Sequence, residues 1–147
     1  AGANITTESS TVKAVKSMLK AFDFDATESP DLFPPLVCLA INCSGTSRIK
    51  GVTRLEHKES DRGLTIVSVL NRLGIKTTVS DDIMLVEGGE VKGATVSSHN
   101  DHRIAMMAAV AALKGDGPVT VTEAEAVSKS YPEFFSDLKN IGADIRY

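Results

Sequence analysis

The sequence contains 147 residues, with 16 Lys and Arg against 19 Asp and Glu, so the formal charge is −3. This length suits one domain with its own hydrophobic core, and a charged fraction of 24% is typical of a folded chain. The mild acidity argues against a general nucleic-acid or membrane-surface binder, because such proteins usually carry a basic excess.

No segment predicts a membrane span or a secretion signal. The longest apolar stretch, residues 104–113, is about half as long as a bilayer span, and the N-terminus lacks a basic region followed by an apolar run. Cys38 and Cys43 lack the spacing of a redox pair or a zinc site. We therefore interpret them as buried thiols in a reducing compartment and predict a cytoplasmic protein.

The first third of the chain predicts two helices and two strands. Apolar residues at helical spacing predict a helix over residues 10–22, and alternation over residues 22–27 predicts a short strand. Residues 32–42 are nearly all apolar, which predicts a buried helix with two prolines in its first turn. A strand over residues 46–50 follows.

The middle of the chain begins with a polar segment, residues 54–62, which leads into an amphipathic helix that Gly74 ends. The apolar stripe of this helix consists of Ile66, Val69, Leu70 and Leu73. Residues 77–79 and 83–86, joined by a polar turn, predict a β-hairpin.

The last third predicts a strand over residues 94–97, a buried helix over residues 104–113 and a second strand over residues 119–121. A further helix begins at Pro132, and residues 143–147 are predicted as a last strand. The stripe of that helix consists of Phe134, Leu138 and Ile141, and Gly142 ends it.

The second half of the chain repeats the first at nearly constant spacing. Asp31 and Asp101 are 70 residues apart, and Lys58 and Lys129 are 71 apart. Such spacing is typical of a duplicated supersecondary unit. We predict an α/β (α+β) fold made of duplicated β-α-β-α-β-β units, over about residues 21–90 and 91–147.

Charged side chains precede the predicted helices in both halves. Four cations lie where the helix dipole disfavours positive charge, namely Lys58, Arg62, Arg103 and Lys129. Helix starts carry unpaired N–H groups that bind anions, and arginine holds phosphate or carboxylate with two hydrogen bonds. The placement of these four cations at helix starts therefore predicts an anionic ligand.

Each of these charged residues also has a structural interpretation. Asp31, Asp61 and Asp101 are good helix caps, Glu59 can pair with a neighbouring cation, and Lys129 can be an ordinary surface lysine. For each of these residues considered alone, the structural interpretation is favoured over the functional one. A cap needs only one acid, however, whereas residues 58–62 contain two cations and two acids.

Among the histidines, His102 is the best candidate for a functional role because it lies in the motif Asn-Asp-His-Arg, whereas His57 and His99 have weaker claims. The sequence contains no Gly-x-Ser-x-Gly elbow, Walker loop or GxGxxG motif. A serine hydrolase and a nucleotide-binding protein are therefore disfavoured.

Four motifs together resemble a known family. Residues 54–62 read Arg-Leu-x-x-Lys-Glu-Ser-Asp-Arg, residues 100–106 read Asn-Asp-His-Arg-Ile-Ala-Met, residues 129–135 read Lys-Ser-Tyr-Pro-Glu-Phe-Phe, and Pro30-Asp31 precedes an apolar helix. In this order they resemble the C-terminal portion of the 5-enolpyruvylshikimate-3-phosphate (EPSP) synthases, or 3-phosphoshikimate 1-carboxyvinyltransferases. The resemblance covers about residues 25–147 and implies part of an inside-out α/β barrel domain.

The resemblance implies transfer of the enolpyruvyl group of phosphoenolpyruvate to the 5-hydroxyl of shikimate 3-phosphate, with release of phosphate and with neither a metal nor an organic cofactor. It makes Asp31 the acceptor of the hydroxyl proton, and it makes Glu59 the group that moves a proton to and from the methylene carbon. Lys58 is implied to be a third catalytic residue, which contacts the region of both substrates. The implied substrate-binding residues are Asp31, Lys58, Arg62, His102, Arg103 and Lys129.

These residue types suit that chemistry. Protonating an enol ether carbon needs an acid, deprotonating an alcohol needs a base, and two carboxylates in different surroundings can divide these tasks. The cations offset the repulsion between those carboxylates and the anionic substrates.

Two departures from the family matter. Glu56 and His57 stand where an arginine and an aliphatic residue are common. Family members are also several times longer, so the chain resembles a C-terminal fragment, one partial domain over residues 1–147. We expect it to fold but to need the N-terminal portion of the enzyme for turnover.

Two other functions remain open at this point. One is an enolpyruvyl transferase that acts on a UDP-sugar, and the other is a non-catalytic anion-binding domain of the same fold.

Overall fold

A computed structural model describes residues 1–56 and 58–146 of the chain. His57 and Tyr147 lie outside the described residues, so neither the weak claim of His57 nor the C-terminal residue of the predicted last strand is tested. Over the described part, α-helices and β-strands alternate in an α/β arrangement.

The N-terminal segment forms a β-hairpin, so the predicted helix over residues 10–22 is wrong. Strand β1 (Asn4–Glu8) pairs antiparallel with β2 (Thr11–Val15), and β3 (Leu19–Lys20) follows. Both hairpin strands are rich in β-branched residues, which favour extended backbone. All their residues are exposed, so the apolar spacing that predicted a helix has no core to face.

The next elements form a parallel strand pair joined by a helix. Strand β4 (Asp23–Asp25) leads through a 3-10 turn, Pro30–Leu32, into α1 (Phe33–Ala40). After β5 (Cys43–Ser44), which pairs with β3, strand β6 (Thr46–Lys50) returns parallel to β4. The predicted strands and buried helix are confirmed here, including the two prolines in the first helical turn.

A second helix and a hairpin complete the larger sheet. Helix α2 (Arg62–Arg72) buries the predicted stripe, and Gly74 ends it with a φ of 81°. Strands β7 (Thr77–Ser80) and β8 (Ile83–Glu87) form the predicted antiparallel hairpin. The strand order of this sheet is β4-β6-β8-β7.

The last third again contains two parallel strands joined by a helix. Strand β9 (Thr95–Ser97) and strand β10 (Thr120–Thr122) flank α3 (His102–Ala112), as predicted. A 3-10 helix, Ala124–Lys129, and helix α4 (Phe134–Asn140) follow. Helices α1 and α3, which occupy matching places in the two halves, pack against each other.

The C-terminal prediction is wrong in two respects. Residues 143–146 form no strand, and no strand in the described part of the chain pairs with them. An extended segment without a partner lacks the ladder hydrogen bonds that define a strand. Ile141 is 80% exposed although its spacing predicted burial, whereas Leu138 is buried. Residues 142–146 line an open, mostly apolar cavity of about 950 Å³ with α3 and β10.

The hydrophobic core lies between α1, α2, α3 and the larger sheet. Its fully buried members include Phe33, Val37, Ile41, Ile49, Leu55, Ile66, Leu70, Met84 and Ile104. This core fixes the N-terminal ends of the three helices relative to one another. Across the described ranges, each helix falls short of the length and apolarity that crossing a membrane requires.

One glycine is packed too closely for any side chain. A Cβ atom added at Gly88 would lie 1.7 Å from the backbone oxygen of Cys43. Because backbone cannot rotate away as a side chain can, we expect Gly88→Ala to lower the free energy of unfolding by about 1–3 kcal/mol in urea titrations. The matched control is Gly89→Ala, since the nearest atom there, Cδ1 of Ile75, is an ordinary 3.5 Å away. Equal losses in both variants would contradict the proposed clash.

Candidate active site

The N-terminal ends of α1, α2 and α3 meet and bring the predicted site residues together. Asp31 lies on the 3-10 turn before α1, Arg62 is the first residue of α2, and His102 begins α3. Seven of the predicted residues contact another predicted residue here, and each of these contacts involves either Asp31 or Glu59. The seven residues are Asp31, Lys58, Glu59, Arg62, His102, Arg103 and Lys129. The sequence prediction that these residues form one cluster is consistent with these contacts.

A buried ion pair between Arg62 and Asp101 lies at the centre of this cluster. Nε of Arg62 donates to Oδ2 of Asp101 at 2.9 Å, and Nη2 donates to Oδ1 at 3.3 Å. The exposed fractions of the two residues are 2% and 0%. Asp101 also accepts the backbone N–H of Arg103 at 2.9 Å, which caps α3, and the hydroxyl of Ser60 at 3.3 Å.

The charge state of Asp101 follows from these contacts. Burial by itself would raise the pKa of this carboxyl. The hydrogen bonds and positive charge of Arg62, with the N–H of Arg103, outweigh burial and hold the pKa below its ordinary value. Asp101 is therefore an anion at neutral pH and fixes one edge of the Arg62 guanidinium.

Asp31 uses the other edge of the same guanidinium. Its Oδ1 accepts a hydrogen bond from Nη1 of Arg62 at 3.0 Å, and its Oδ2 accepts one from Nη2 of Arg103 at 3.1 Å. Nζ of Lys58 lies 3.8 Å from Oδ1. The Asp31 side chain is half exposed. Two arginines from different helices thus converge on one carboxylate at the protein surface.

Glu59 lies among the remaining members of the cluster. Its Oε1 is 2.9 Å from Nδ1 of His102, although none of the described residues gives that buried nitrogen a well-aligned hydrogen bond. Its Oε2 is 3.6 Å from Nζ of Lys129, which also donates to the backbone carbonyl of Asn100. Glu59 is partly exposed and has a side-chain nitrogen near each oxygen, which leaves its carboxyl group accessible to a ligand.

Glu59, Asp101 and His102 offer three potential metal ligands within 4.8 Å of one another. Both oxygens of Asp101 already bind Arg62, and the ammonium group of Lys129 faces Glu59. A divalent cation would have to displace or tolerate these positive charges. The donor set therefore fits an ion-pair network better than a metal centre.

A strained loop leads into α3. His99 and Asn100 both adopt left-handed backbone conformations, with φ of 51° and 55°, which are uncommon for residues with a side chain. The hydroxyl of Ser97 accepts the N–H of His99 at 2.9 Å and donates to Glu123 at 2.6 Å. These contacts place the Asn100 carbonyl that Lys129 binds.

Sequence reasoning missed part of this network. Asp101 was predicted only as a cap, and neither Ser60 nor Glu123 was singled out. The available signal for Asp101 was the positive charge of Arg62 at the start of an amphipathic helix, because a buried cation there requires an acidic partner. Glu123 carried no such signal, since its contact with Ser97 joins residues 26 apart.

The chain matches a known protein family along most of its length. The family model of EPSP synthase (3-phosphoshikimate 1-carboxyvinyltransferase) matches residues 1–138. The chain is 40% identical over 146 residues to the 3-phosphoshikimate 1-carboxyvinyltransferase of Methanocella arvoryzae, which covers 98% of this chain and 35% of that protein. It is 45% identical over 131 residues to the enzyme of that name from Clostridium acetobutylicum, covering 88% of this chain and 31% of that protein.

Solved structures agree with these matches. An EPSP synthase from Acinetobacter baumannii superimposes with a TM-score of 0.83 at 29% identity, covering 97% of this chain and 36% of that one. The enolpyruvyl transferase NikO from Streptomyces tendae shares the fold with a TM-score of 0.76 at 24% identity, over 99% of this chain and 34% of that one. The chain spans about a third of the length of the relatives that it matches.

Proposed function

Because the chain belongs to the EPSP synthase (3-phosphoshikimate 1-carboxyvinyltransferase) family, we propose that it supplies the C-terminal part of an enzyme active on phosphoenolpyruvate and shikimate 3-phosphate. The enolpyruvyl group passes to the 5-hydroxyl, and phosphate is released. The observation that carries this proposal is the convergence of Arg62 and Arg103 on one carboxylate.

The arginine pair supports a role in holding the carboxylate of phosphoenolpyruvate. Each guanidinium contributes one N–H to a planar carboxylate, at 3.0 and 3.1 Å in the contact with Asp31. Lys58 lies 3.8 Å from Asp31 at this position, and Lys129 lies beside Glu59. Both lysines are suited to the phosphate group, which needs point charges more than a planar fork.

Two carboxylates are available for the proton transfers. Asp31 accepts the proton of the 5-hydroxyl as its oxygen attacks the substituted carbon of phosphoenolpyruvate. Glu59 delivers a proton to the methylene carbon and removes one when phosphate leaves, so that the double bond is restored. The contacts of Glu59 with His102 and Lys129 support this role, because they hold its carboxyl group in place beside two nitrogen-bearing side chains.

The cations serve the same reaction electrostatically. The substrates bring two phosphates and two carboxylates toward Asp31 and Glu59, and the surrounding cations offset that repulsion and stabilise charge on the departing phosphate. All the groups in this account are side chains, so the proposal uses no cofactor.

The remaining proposals concern organisation. We propose that residues 1–147 form one partial domain with units over about residues 21–90 and 91–147, that the N-terminal portion of the enzyme completes the site, and that the enzyme is cytoplasmic. The paired crossovers β4-α1-β6 and β9-α3-β10 support the two units. Nucleic acid and membrane are not among the proposed partners.

A chimera tests the activity. This chain replaces the segment that it matches in the Methanocella arvoryzae relative, and phosphate release is measured with phosphoenolpyruvate and shikimate 3-phosphate. We expect turnover by the chimera and none by the 147-residue chain alone. A chimera that melts near the parent's temperature yet releases no phosphate would contradict the proposal, and turnover with UDP-N-acetylglucosamine as acceptor would favour the UDP-sugar alternative.

A further inference from the structure

The two carboxylate partners of Arg62 differ in burial and in the atoms that they contact. Asp101 is fully buried, binds the Nε edge of the guanidinium and caps α3 with the same side chain. Asp31 is half exposed, binds only Nη1 and lies on a 3-10 turn. Removing Asp101 from Arg62 would leave a buried charge unpaired, whereas Asp31 can leave Arg62 and enter water.

Asp31 also occupies the place where a ligand would bind the two arginines. Its two oxygens bridge Arg62 and Arg103, so one carboxylate uses the N–H groups that two helices aim at the surface. A second carboxylate cannot use the same N–H groups at the same time. An incoming carboxylate that takes these two N–H groups must therefore displace Asp31.

We propose that Asp31 is an internal ligand of the arginine pair, which the carboxylate of the bound substrate displaces. This proposal rests on the proposed function and adds a sequence of events to it. While Asp31 bridges the arginines, each of its oxygens already accepts a hydrogen bond from an arginine, which makes it a weaker acceptor for a hydroxyl. Binding of the substrate carboxylate releases Asp31, so the proton acceptor becomes available when the second reactant is in place.

The displacement has a measurable cost. Binding of a carboxylate to the arginine pair requires that the two contacts of Asp31 be broken, which lowers the affinity. Removing Asp31 should therefore strengthen carboxylate binding, although it also removes a proposed catalytic group. An anion that leaves the two arginine contacts of Asp31 in place does not incur this cost. The matched control is Glu28→Ala, because Glu28 is exposed and carries the same charge three residues away.

The test titrates the 147-residue chain and its Asp31→Ala and Glu28→Ala variants with pyruvate, phosphoenolpyruvate and inorganic phosphate, followed by NMR of the arginine side chains. We expect Asp31→Ala to bind pyruvate on the order of tenfold more tightly than the unmodified chain, with a smaller change for phosphate and little change in Glu28→Ala. In the unmodified chain, the carboxyl carbon signal of Asp31 should shift as pyruvate saturates Arg62.

Three outcomes would overturn the proposal. Pyruvate could bind Asp31→Ala no more tightly than the unmodified chain, the Asp31 signal could stay in place while Arg62 is saturated, or neither chain could bind pyruvate. The signal of Asp31 needs no substitution, so it decides the question even if Asp31→Ala is misfolded. Failure of the proposed function has a different signature, namely phosphoenolpyruvate binding no more tightly than pyruvate or phosphate while Asp31→Ala still gains affinity for pyruvate.

Discussion

Glu59→Gln in the active chimera is expected to lower kcat by about 10²–10⁴-fold, the usual contribution of a positioned acid or base. Glutamine preserves the size of the side chain and can still present an oxygen to Lys129, whose Nζ lies 3.6 Å from Oε2. It cannot donate a proton to the methylene carbon and take it back. Steady-state phosphate release checks this, and KM for phosphoenolpyruvate should change far less than kcat because the arginine pair is untouched.

Glu56→Gln is the matched control for that substitution. Glu56 is exposed, lies three residues earlier in the same segment and carries the same charge. It should leave kcat within about twofold, since a surface charge outside the site contributes little. Turnover that is unchanged in Glu59→Gln would remove Glu59 from proton transfer.

Asp101→Ala is expected to cost the chain about 3–5 kcal/mol of unfolding free energy, because it leaves the guanidinium of Arg62 buried without its main partner. Loss of the α3 cap adds about 1 kcal/mol. Domains of this kind are stable by only about 5–15 kcal/mol, so a large part of the stability would be lost. Urea unfolding followed by circular dichroism measures the difference.

Asp61→Ala separates the two contributions. Asp61 caps α2 through the N–H of Leu64 at 3.2 Å, as Asp101 caps α3, but it is exposed and has no buried cation to neutralise. We expect a loss of only about 1 kcal/mol. Similar losses in Asp61→Ala and Asp101→Ala would show that the buried ion pair contributes nothing beyond the cap.

The ion pair also gives stability a pH dependence. The pKa of Asp101 is lower in the folded chain than its ordinary value of 3.8, so protonation favours the unfolded state. The ion pair contributes fully to the stability of the fold at pH values above this ordinary pKa. That contribution is lost as the pH falls through the lower pKa of Asp101 in the folded chain. Asp101→Asn should therefore weaken the acid dependence. It should not abolish it, because hydrogen bonds from Thr27, followed by that of Lys50, lower the pKa of Asp25 to about 2.

The sequence predicted those elements in which local pattern and burial agree. Residues 46–50 satisfy both because buried Ser47 and Ile49 alternate with exposed side chains, and the apolar stripe of α2 repeats with the helical period and faces the core. The hairpin of β1 and β2 was mispredicted because its valines point to solvent. Residues 143–146 were mispredicted because a strand depends on a partner that its own sequence does not encode.

The sequence predicts which residues belong to the candidate site but not which of them contact each other. Charges at helix starts indicated Arg62 and Arg103 without a structure, since such placement is unfavourable unless something anionic lies there. Which carboxylate faces which cation depends on how the helices pack. The division of Arg62 between buried Asp101 and exposed Asp31 therefore emerged only from the fold.

The site contacts also bear on the order in which the chain acquires its structure. They join residues 31, 39 and 72 positions apart in Arg62–Asp31, Arg62–Asp101 and Arg103–Asp31. Closing such long loops costs entropy that local helix and hairpin formation does not, so these pairs are expected to form late in folding. The arginine pair is thus a reporter of complete assembly, because anion binding requires that α1, α2 and α3 have already docked.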